Sequence, residues 1–400
     1  MAYCNAINSL VVKMYDFMKT ISTVCIFGIS INYLSFHRKP LIDEMMVSLF
    51  RNKQVYFFYP LKTIWQRILK KNTKNVDSIK RTEPICASLY TLAPLSFIYK
   101  SELLIWLCIA LPIQLQLKYR YKISASKSLS WHYKPEQFLY IKKTFKYHVY
   151  ENYDNYRFDK SYFLAKSRMY DEYLNLNFKR CCLSLISSIK QYNMYQHHSS
   201  TMYFPNAVST RFLTGHLNAA ELPFNFLKEE TKTVGYVGNI DESIDTDLIE
   251  ALVNRLKSVT FLLIGPIKNA KIQLLAEKYK NLHLIGPVPY DSLPACIATF
   301  TVGICPYKKL DFNLYRNPLK VYEYSSQGIP SVVQNCTLDD NTLSLVHMAV
   351  SIEGFVTHVS NILNGTQDVA KAQLIEFANL NTWKNRVESL AARLQEIDFK

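Results

Sequence analysis

The sequence predicts an α/β protein of two domains, each organised around a largely parallel sheet. Three observations carry that expectation. Short apolar strand candidates alternate with amphipathic helical stretches at spacings of about 20–30 residues through the second half, the pattern of βαβ units with helices on both sheet faces. A looser series of strand-like runs fills the first half. The 400 residues, 49% of them hydrophobic, suffice for two separate cores.

In the first half, Val24–Ser30, Gln54–Tyr59, Ile85–Leu92, His148–Tyr153 and Cys182–Ser187 read as strands. Leu103–Leu117 reads as a buried helix kinked at its proline. That run has 15 residues without Asp, Glu, Lys or Arg, and Thr20–Phe36 has 17. Both fall short of the ~20 apolar residues a membrane span needs, and both hold polar residues or proline. The apolar run near the start begins late and carries Gly, Ser and Asn, unlike a signal peptide. "MYFPNAVSTRF" (202–212) and the mixed run to Lys232 read as a crossover.

In the second half, Thr233–Gly238, Thr260–Ile264, Leu282–Ile285, Phe300–Cys305 and Pro330–Val333 read as strands. Leu248, Ile249, Leu252, Val253 and Leu256 mark one face of a helix over Asp245–Lys257. Trp383, Val387, Leu390 and Leu394 do the same for Thr382–Asp398. The expected organisation is a first domain over 1–212, a linker over 213–232, a second domain over 233–381 and a terminal helix in 382–400 that packs back on the first domain. Parallel sheets bind ligands at the carboxyl ends of their strands. The turns there are Gly238-Asn239, Gly265-Pro266, Gly286-Pro287 and the loop Tyr307–Asn317.

Charge is unevenly placed. Residues 1–230 hold 31 Lys and Arg against 15 Asp and Glu, while residues 231–400 hold 16 against 17. Basic character confined to one half points to an anionic partner of that half, a membrane surface or a nucleic acid. A Lys-rich but otherwise ordinary surface is the plainer alternative. The nine cysteines, at 4, 25, 86, 108, 181, 182, 296, 305 and 336, show no CxxC pair. Free thiols in a reducing compartment are expected, with neither a disulfide framework nor structural zinc.

The segment "YRNPLKVYEYSSQGIPSVV" (315–333) raises a question of charge. Asn317 suits an N-cap, Pro318 the first helical position and Gly328 a left-handed stop. Lys320 then falls in the first turn, against the positive end of the helix dipole, at a cost of roughly 0.3–1 kcal/mol. Glu323 shares its face, about 4.5 Å further along the axis. A ligand diphosphate on Lys320 and the first-turn N–H groups, with sugar hydroxyls on Glu323, would resolve the misplaced lysine. The alternative is a solvated helix with an i,i+3 Lys–Glu pair.

This segment resembles the nucleotide-sugar signature of GT-B glycosyltransferases, roughly N-P-x-K-x-x-E-Y-x-x-x-G-x-P-V-V. "VGYVGNIDESIDTDLI" (234–249), "FLLIGP" (261–266), "NLHLIGPVPYDSLPACI" (281–297) and "VGICPY" (302–307) are similar to further family segments, in family order. In the first half, "FHRKPLIDEM" (36–45), "WHYKP" (131–135), "VYENYD" (149–154) and "FPNAVSTRF" (204–212) match more loosely. The likeness is to bacterial enzymes of cell-surface polysaccharide assembly, of the teichuronic-acid and xanthan glucuronosyl type.

The resemblance implies a GT-B fold, two Rossmann-like domains facing across a cleft. It implies transfer of a sugar from a nucleotide-diphospho-sugar to a hydroxyl of a glycan acceptor, a lipid-linked one in the family picture. No cofactor and no metal are expected. Glu323 would bind the donor ribose; Lys320 and Asn317, with the Pro318 turn, would serve the diphosphate. Gly238 and Asn239 would admit the phosphates, and Ile285, Gly286 and Val288 would offer backbone groups to the nucleobase. Asp154 is the implied general base. His37 and Arg38 are candidates for an acceptor phosphate, against a packed histidine and a surface arginine. The expected place is cytoplasmic, peripheral at the inner membrane face, with no nucleic acid bound.

Three departures stand out. A second glutamate common eight positions before Glu323 is Tyr315 here, which leaves retaining chemistry without support and favours inversion. The usual N-G-V-D hinge reads Asn206-Ala207-Val208-Ser209, and a tryptophan common after the glycine loop is Ser243. Rival readings are a non-catalytic scaffold on the same fold, a nucleotide-sugar epimerase and a nucleic-acid-binding module.

Overall fold

The computed structural model describes residues 20–30, 33, 36–69, 83–158, 162–164, 167–213, 222–227, 231–366 and 369–396. Much of the expected linker, 214–221 and 228–230, lies outside the described residues. The chain forms two compact units. One runs to Ser187 and takes in Tyr192–Phe204 and the stretch from Arg386; the other comprises Ser188–Gln191 and Pro205–Asn385. The second unit thus begins at Pro205, ahead of the expected boundary at 212.

The first unit holds a seven-stranded parallel sheet of β1 (Thr23–Phe27), β2 (Gln54–Phe58), β3 (Ile85–Ala87), β4 (Ser128–His132), β5 (Tyr147–Asn152), β6 (Leu183–Ile186) and β7 (Thr201–Tyr203), in the order β3-β2-β1-β4-β5-β6-β7. Two expectations need correction. Ile85–Leu92 is not one strand, because Tyr90–Thr91 leaves the sheet to pair with Lys62–Thr63. β4 escaped the sequence reading because its buried positions are polar. Ser130 Oγ lies 2.7 Å from His148 Nδ1, and His132 Nε2 donates to Asn177 Oδ1 at 2.6 Å. Satisfied in this way, polar groups can be buried without the full desolvation cost.

The expected buried helix is part of α1 (Glu102–Arg120), and it is not buried. Ile105, Ile109, Ile113 and Leu117 pack into the core, but Leu103, Leu104, Leu107 and Leu115 face outward. Pro112 has no N–H to offer the Cys108 carbonyl, which instead accepts from Leu92 N–H at 2.8 Å. Wider π-turns at Trp106–Ala110 and Gln116–Arg120 flank the proline.

The second unit holds a six-stranded parallel sheet: β8 (Thr233–Val237), β9 (Thr260–Ile264), β10 (Leu282–Gly286), β11 (Val302–Pro306), β12 (Ser331–Gln334) and β13 (His347–Ala349), ordered β10-β9-β8-β11-β12-β13. The three-residue edge strand β13 was missed by the sequence reading. Helices α2 (Thr246–Arg255) and α4 (Trp383–Glu396) fall where the apolar periodicity puts them, and α3 (Leu319–Ser326) falls between its expected proline start and glycine stop. Asp245 caps α2, its Oδ1 accepting from Leu248 N–H at 3.1 Å.

Strand order reverses at β8, between β9 and β11, the switch point where such sheets open. The β8–β11 pairing runs only to Gly235 opposite Gly303. Beyond it the hydroxyl of Tyr324, from α3, fills the opening. It accepts from Val237 N–H and donates to the Ile304 carbonyl, both at 3.2 Å. The ring lies over Gly303, where any Cβ would come within 2.4 Å of it. Tyr324→Phe would leave two buried backbone groups unpaired. We expect a loss of about 1–3 kcal/mol of stability in urea denaturation, and a larger loss for Gly303→Ala. A phenylalanine variant as stable as the native chain would show that the bridge contributes nothing.

Candidate functional site

Three glycines turn the chain at the carboxyl ends of β8, β9 and β10, each at a positive φ that side-chain-bearing residues avoid: Gly238 at 140°, Gly265 at 140° and Gly286 at 76°. The turns nest. Gly238 N–H donates to the Ile264 carbonyl and Gly265 N–H to the Gly286 carbonyl, both at 2.8 Å. A Cβ on Gly265 would sit 2.0 Å from the Gly238 oxygen. A Cβ on Gly238 would sit 2.7 Å from Lys320 Cε and 2.9 Å from its Nζ. The glycine turn and the lysine of the 315–333 segment therefore meet.

Helix α3 begins at Leu319 with no side-chain cap, and Pro318 (φ −72°, ψ 109°) precedes its first turn. Asn317 is not the N-cap the sequence suggested. Its side chain is occupied elsewhere: Oδ1 accepts from Asn206 N–H at 2.8 Å, and Nδ2 donates to Tyr322 Oη at 3.2 Å. Val321 N–H closes a turn on the Pro318 carbonyl at 3.2 Å. The N–H groups of Leu319 and Lys320, ahead of it, are first-turn amides with no intrahelical acceptor.

Lys320 and Glu323 share this end of the helix but form no ion pair, so the i,i+3 alternative does not hold. Glu323 is buried, and burial pushes its carboxyl up to about 7 against the opposing pull of Lys320. The carboxylate receives no hydrogen bond from the described residues. Lys320 keeps some surface accessible, yet burial lowers its pKa. Glu323 offsets that shift in part, and Arg316 adds to it.

Arg316 was missed in the sequence, where it reads only as a flank of the motif. Its guanidinium lies 5.0 Å from the Tyr307 ring centroid and 4.8 Å from that of Phe312, and Nη1 donates to Ser243 Oγ at 3.4 Å. Ser243, in the tryptophan's place, thus helps hold a second cation beside Lys320. Neither cation has a carboxylate within ion-pair distance among the described residues. Two neighbouring cations without an ion pair, two first-turn amides and a glycine turn form an arrangement that can accept a polyanion.

The other second-unit candidates are less committed. Asn239 is exposed, and its carbonyl accepts from Tyr236 Oη at 3.1 Å. Ile285 and Val288 are half-buried against the core, and the Gly286 carbonyl already serves Gly265.

In the first unit, Asp154 is exposed just past β5, with Oδ1 accepting from Asn155 N–H at 2.9 Å. The sequence alternatives for the neighbouring pair are reversed: His37 is exposed and Arg38 is buried. Arg38 Nε lies 2.8 Å from Glu151 Oε1, and Trp131 Nε1 donates to Glu151 Oε2 at 2.8 Å. Tyr153 joins the group, its ring 4.6 Å from that of His37 and 4.6 Å from the Arg38 guanidinium. The structure therefore gathers His37, Arg38 and Tyr153 next to Asp154, with Arg38 committed to a buried ion pair.

Comparison with known proteins agrees with this architecture. Residues 231–364 match the family described as Glycosyl transferases group 1. A Bacillus subtilis (strain 168) protein, provisionally named teichuronic acid biosynthesis glycosyltransferase TuaH, is 29% identical over 106 residues, 26% of each chain. The match thus spans about a quarter of that relative. The Anabaena Alr3699/HepE structure in complex with UDP and glucose superposes with a TM-score of 0.64 at 12% identity, over 93% of this chain and 99% of that one. An E. coli trehalose-6-phosphate structure bound with UDP-2-fluoro glucose gives 0.64 at 12%, over 94% and 99%. The chain has the GT-B fold and resembles group 1 glycosyltransferases of cell-surface polysaccharide synthesis.

The raised Glu323 pKa makes a signed prediction. The carboxyl is neutral in folded and unfolded chains below its ordinary value of 4.5, so it carries no penalty there. Between 4.5 and about 7 the unfolded chain ionises first, and the folded state loses stability as pH rises; above 7 the penalty is complete. Glu323→Gln should therefore raise the unfolding temperature at about pH 8 and leave it unchanged near pH 4. Calorimetry at the two pH values checks this, and an equal effect at both would contradict a buried, unpaired carboxyl.

Proposed function

We propose that this chain transfers a sugar from a nucleotide-diphospho-sugar to a hydroxyl of a lipid-linked glycan acceptor. The reading rests above all on the contact between the Gly238 turn and Lys320, one helical turn from the unpaired Glu323. The donor diphosphate lies against the Gly238 turn, the Leu319 and Lys320 amides and the Lys320 and Arg316 side chains. Two ribose hydroxyls donate to Glu323, supplying the hydrogen bonds its carboxylate lacks and returning its pKa toward the ordinary range. Asn317 shapes the start of the helix, and Ile285, Gly286 and Val288 flank the nucleobase.

In the transfer step the acceptor oxygen attacks the anomeric carbon while its proton passes to Asp154. The bond from the anomeric carbon to the diphosphate oxygen breaks, and the diphosphate leaves with the electron pair. Lys320, Arg316 and the helix amides meet the charge that develops on it, in the role a metal ion plays in other transferases. His37 is the exposed residue beside Asp154 that can meet an acceptor phosphate. The name of the Bacillus subtilis relative supports cell-surface polysaccharide synthesis as the setting, and our reading puts the enzyme on the cytoplasmic side, where nucleotide-sugars are made. Tyr315, in place of the second glutamate, favours one other reading: a non-catalytic scaffold that keeps the fold and the nucleotide site.

Thermal shift with UDP, GDP, ADP and dTDP tests the donor site, UDP first because two neighbours of this fold hold UDP or a UDP-sugar. At ~100 times its dissociation constant a nucleotide should stabilise the native chain by about 2.7 kcal/mol, and this shift should vanish in Lys320→Ala. No shift with any nucleotide would remove the reading. Asp154→Asn should keep nucleotide binding and slow sugar transfer by roughly 10²–10⁴-fold. Nucleotide binding without transfer or donor hydrolysis in the native chain would establish the scaffold instead.

A further inference from the structure

Helix α1 exposes an apolar face that the donor site does not use. Leu103 is 64% accessible, Leu107 39% and Leu115 47%, and Phe97, in the turn of helix just before, is 82% accessible. On the opposite face Ile105, Ile109, Ile113 and Leu117 are buried in the first unit's core. A helix apolar on both sides is ordinarily covered on both sides. At 19 residues α1 is long and apolar enough to cross a bilayer. Crossing would strip four apolar side chains out of the core, which favours a helix lying along a surface over one passing through it.

Charge identifies that surface. Lys100 precedes the helix, and Lys118, Arg120 and Lys122 are exposed at its other end. Lys143 borders a cavity of about 330 Å³ whose wall includes Leu103 and Trp106. Against these, the acidic residue of the helix itself, Glu102, is paired with Lys142 at 3.2 Å. A helix C-terminus attracts cations by its dipole alone, but that accounts neither for Lys100 and Lys143 nor for the leucines between. Apolar side chains bounded by lysine and arginine form the layout of an interfacial helix on anionic lipid.

We propose that α1, together with Phe97, is a docking surface for an anionic bilayer, its leucines at the acyl boundary, Trp106 at headgroup depth and the basic residues on lipid phosphates. This goes beyond the donor site and does not depend on it, so the two can fail separately. On such a surface the first unit would meet a lipid-linked acceptor where it resides.

The four tryptophans supply the test. Trp131 and Trp383 are buried, while Trp65 and Trp106 are exposed. The full chain carrying Trp65→Phe therefore reports contact through Trp106. Mixed with vesicles of phosphatidylcholine alone, or with phosphatidylglycerol added, it should sediment with the anionic vesicles and release at high salt. Its emission should shift to the blue and be quenched by brominated acyl chains. Adding Leu103→Asp and Leu107→Asp should weaken partition by at least about tenfold, with the unfolding temperature and the nucleotide-induced shift unchanged. Absence of vesicle binding, equal binding to neutral vesicles, or binding that survives the aspartates would overturn the proposal. So would concentration-dependent self-association without lipid that the aspartates abolish, which would assign the face to a second copy of the chain.

Discussion

The opening between β8 and β11, held by one tyrosine hydroxyl, is the constraint from which the candidate site follows. Two parallel strands that part at a switch point leave backbone donors and acceptors facing each other across a gap too wide for a ladder. Tyr324 closes it from α3, and Gly303 is the residue that lets the ring lie flat enough to do so. Once Tyr324 is fixed, the rotation of α3 is fixed. Lys320, one turn earlier on the same face, must then lie over the end of β8, where the chain is turning at Gly238. A side chain at Gly238 would occupy the volume of the lysine. One hydrogen-bonded pivot therefore determines where the cation goes, and the glycine determines that it can go there.

Electrostatics run against stability at this place. Burial lowers the proton affinity of Lys320 and the neighbouring Arg316 adds to that, with no acid in ion-pair distance, while Glu323 stands buried nearby with its pKa raised toward neutrality. Pairing Lys320 with Glu323 would relieve both, yet the helix holds them apart. A fold that keeps two cations and a buried carboxylate close together without an ion pair carries a cost that a ligand with both an anionic group and hydroxyl donors could relieve. The first unit shows the opposite solution. There Arg38 and Glu151 are buried more completely but paired, with Trp131 and Tyr153 packed around them, which is how a structural charge is normally accommodated.

Most of the second sheet was legible because its strands are apolar on both faces and its helices carry a clear 3.6-residue period. The first unit was harder to read because it buries polar residues: β4 hides Ser130 and His132 behind specific partners, and no periodicity announces such a strand. Helix α1 misled for a related reason, since an apolar run says that a face wants covering without saying by what. Within the site, Lys320 was legible because it breaks a local rule of charge placement, Glu323 because it shares that helix face, and Gly238 because it marks a turn at a strand end. Arg316 was not, since an arginine in a loop breaks none. Asn317 matched the capping preference and does something else, because a tertiary partner, Asn206, competes for its side chain more effectively than the helix start.

That competition links the site to the chain path. Asn206 donates from its backbone to Asn317 Oδ1 and from its side chain to the Asn317 carbonyl at 2.5 Å, just ahead of the turn that carries Lys320. Two residues on, Val208 N–H donates to the Asn381 carbonyl at 2.9 Å and the Val208 carbonyl accepts from Trp383 N–H at 3.0 Å. The places where the chain enters the second unit and where it leaves are thus bound to each other, and the first is bound to the start of α3. Ala207, between them, has none of the positive φ that would demand the glycine found there in similar proteins. The same asparagine that fails as a helix cap thus ties the start of α3 to the segment by which the chain enters the second unit.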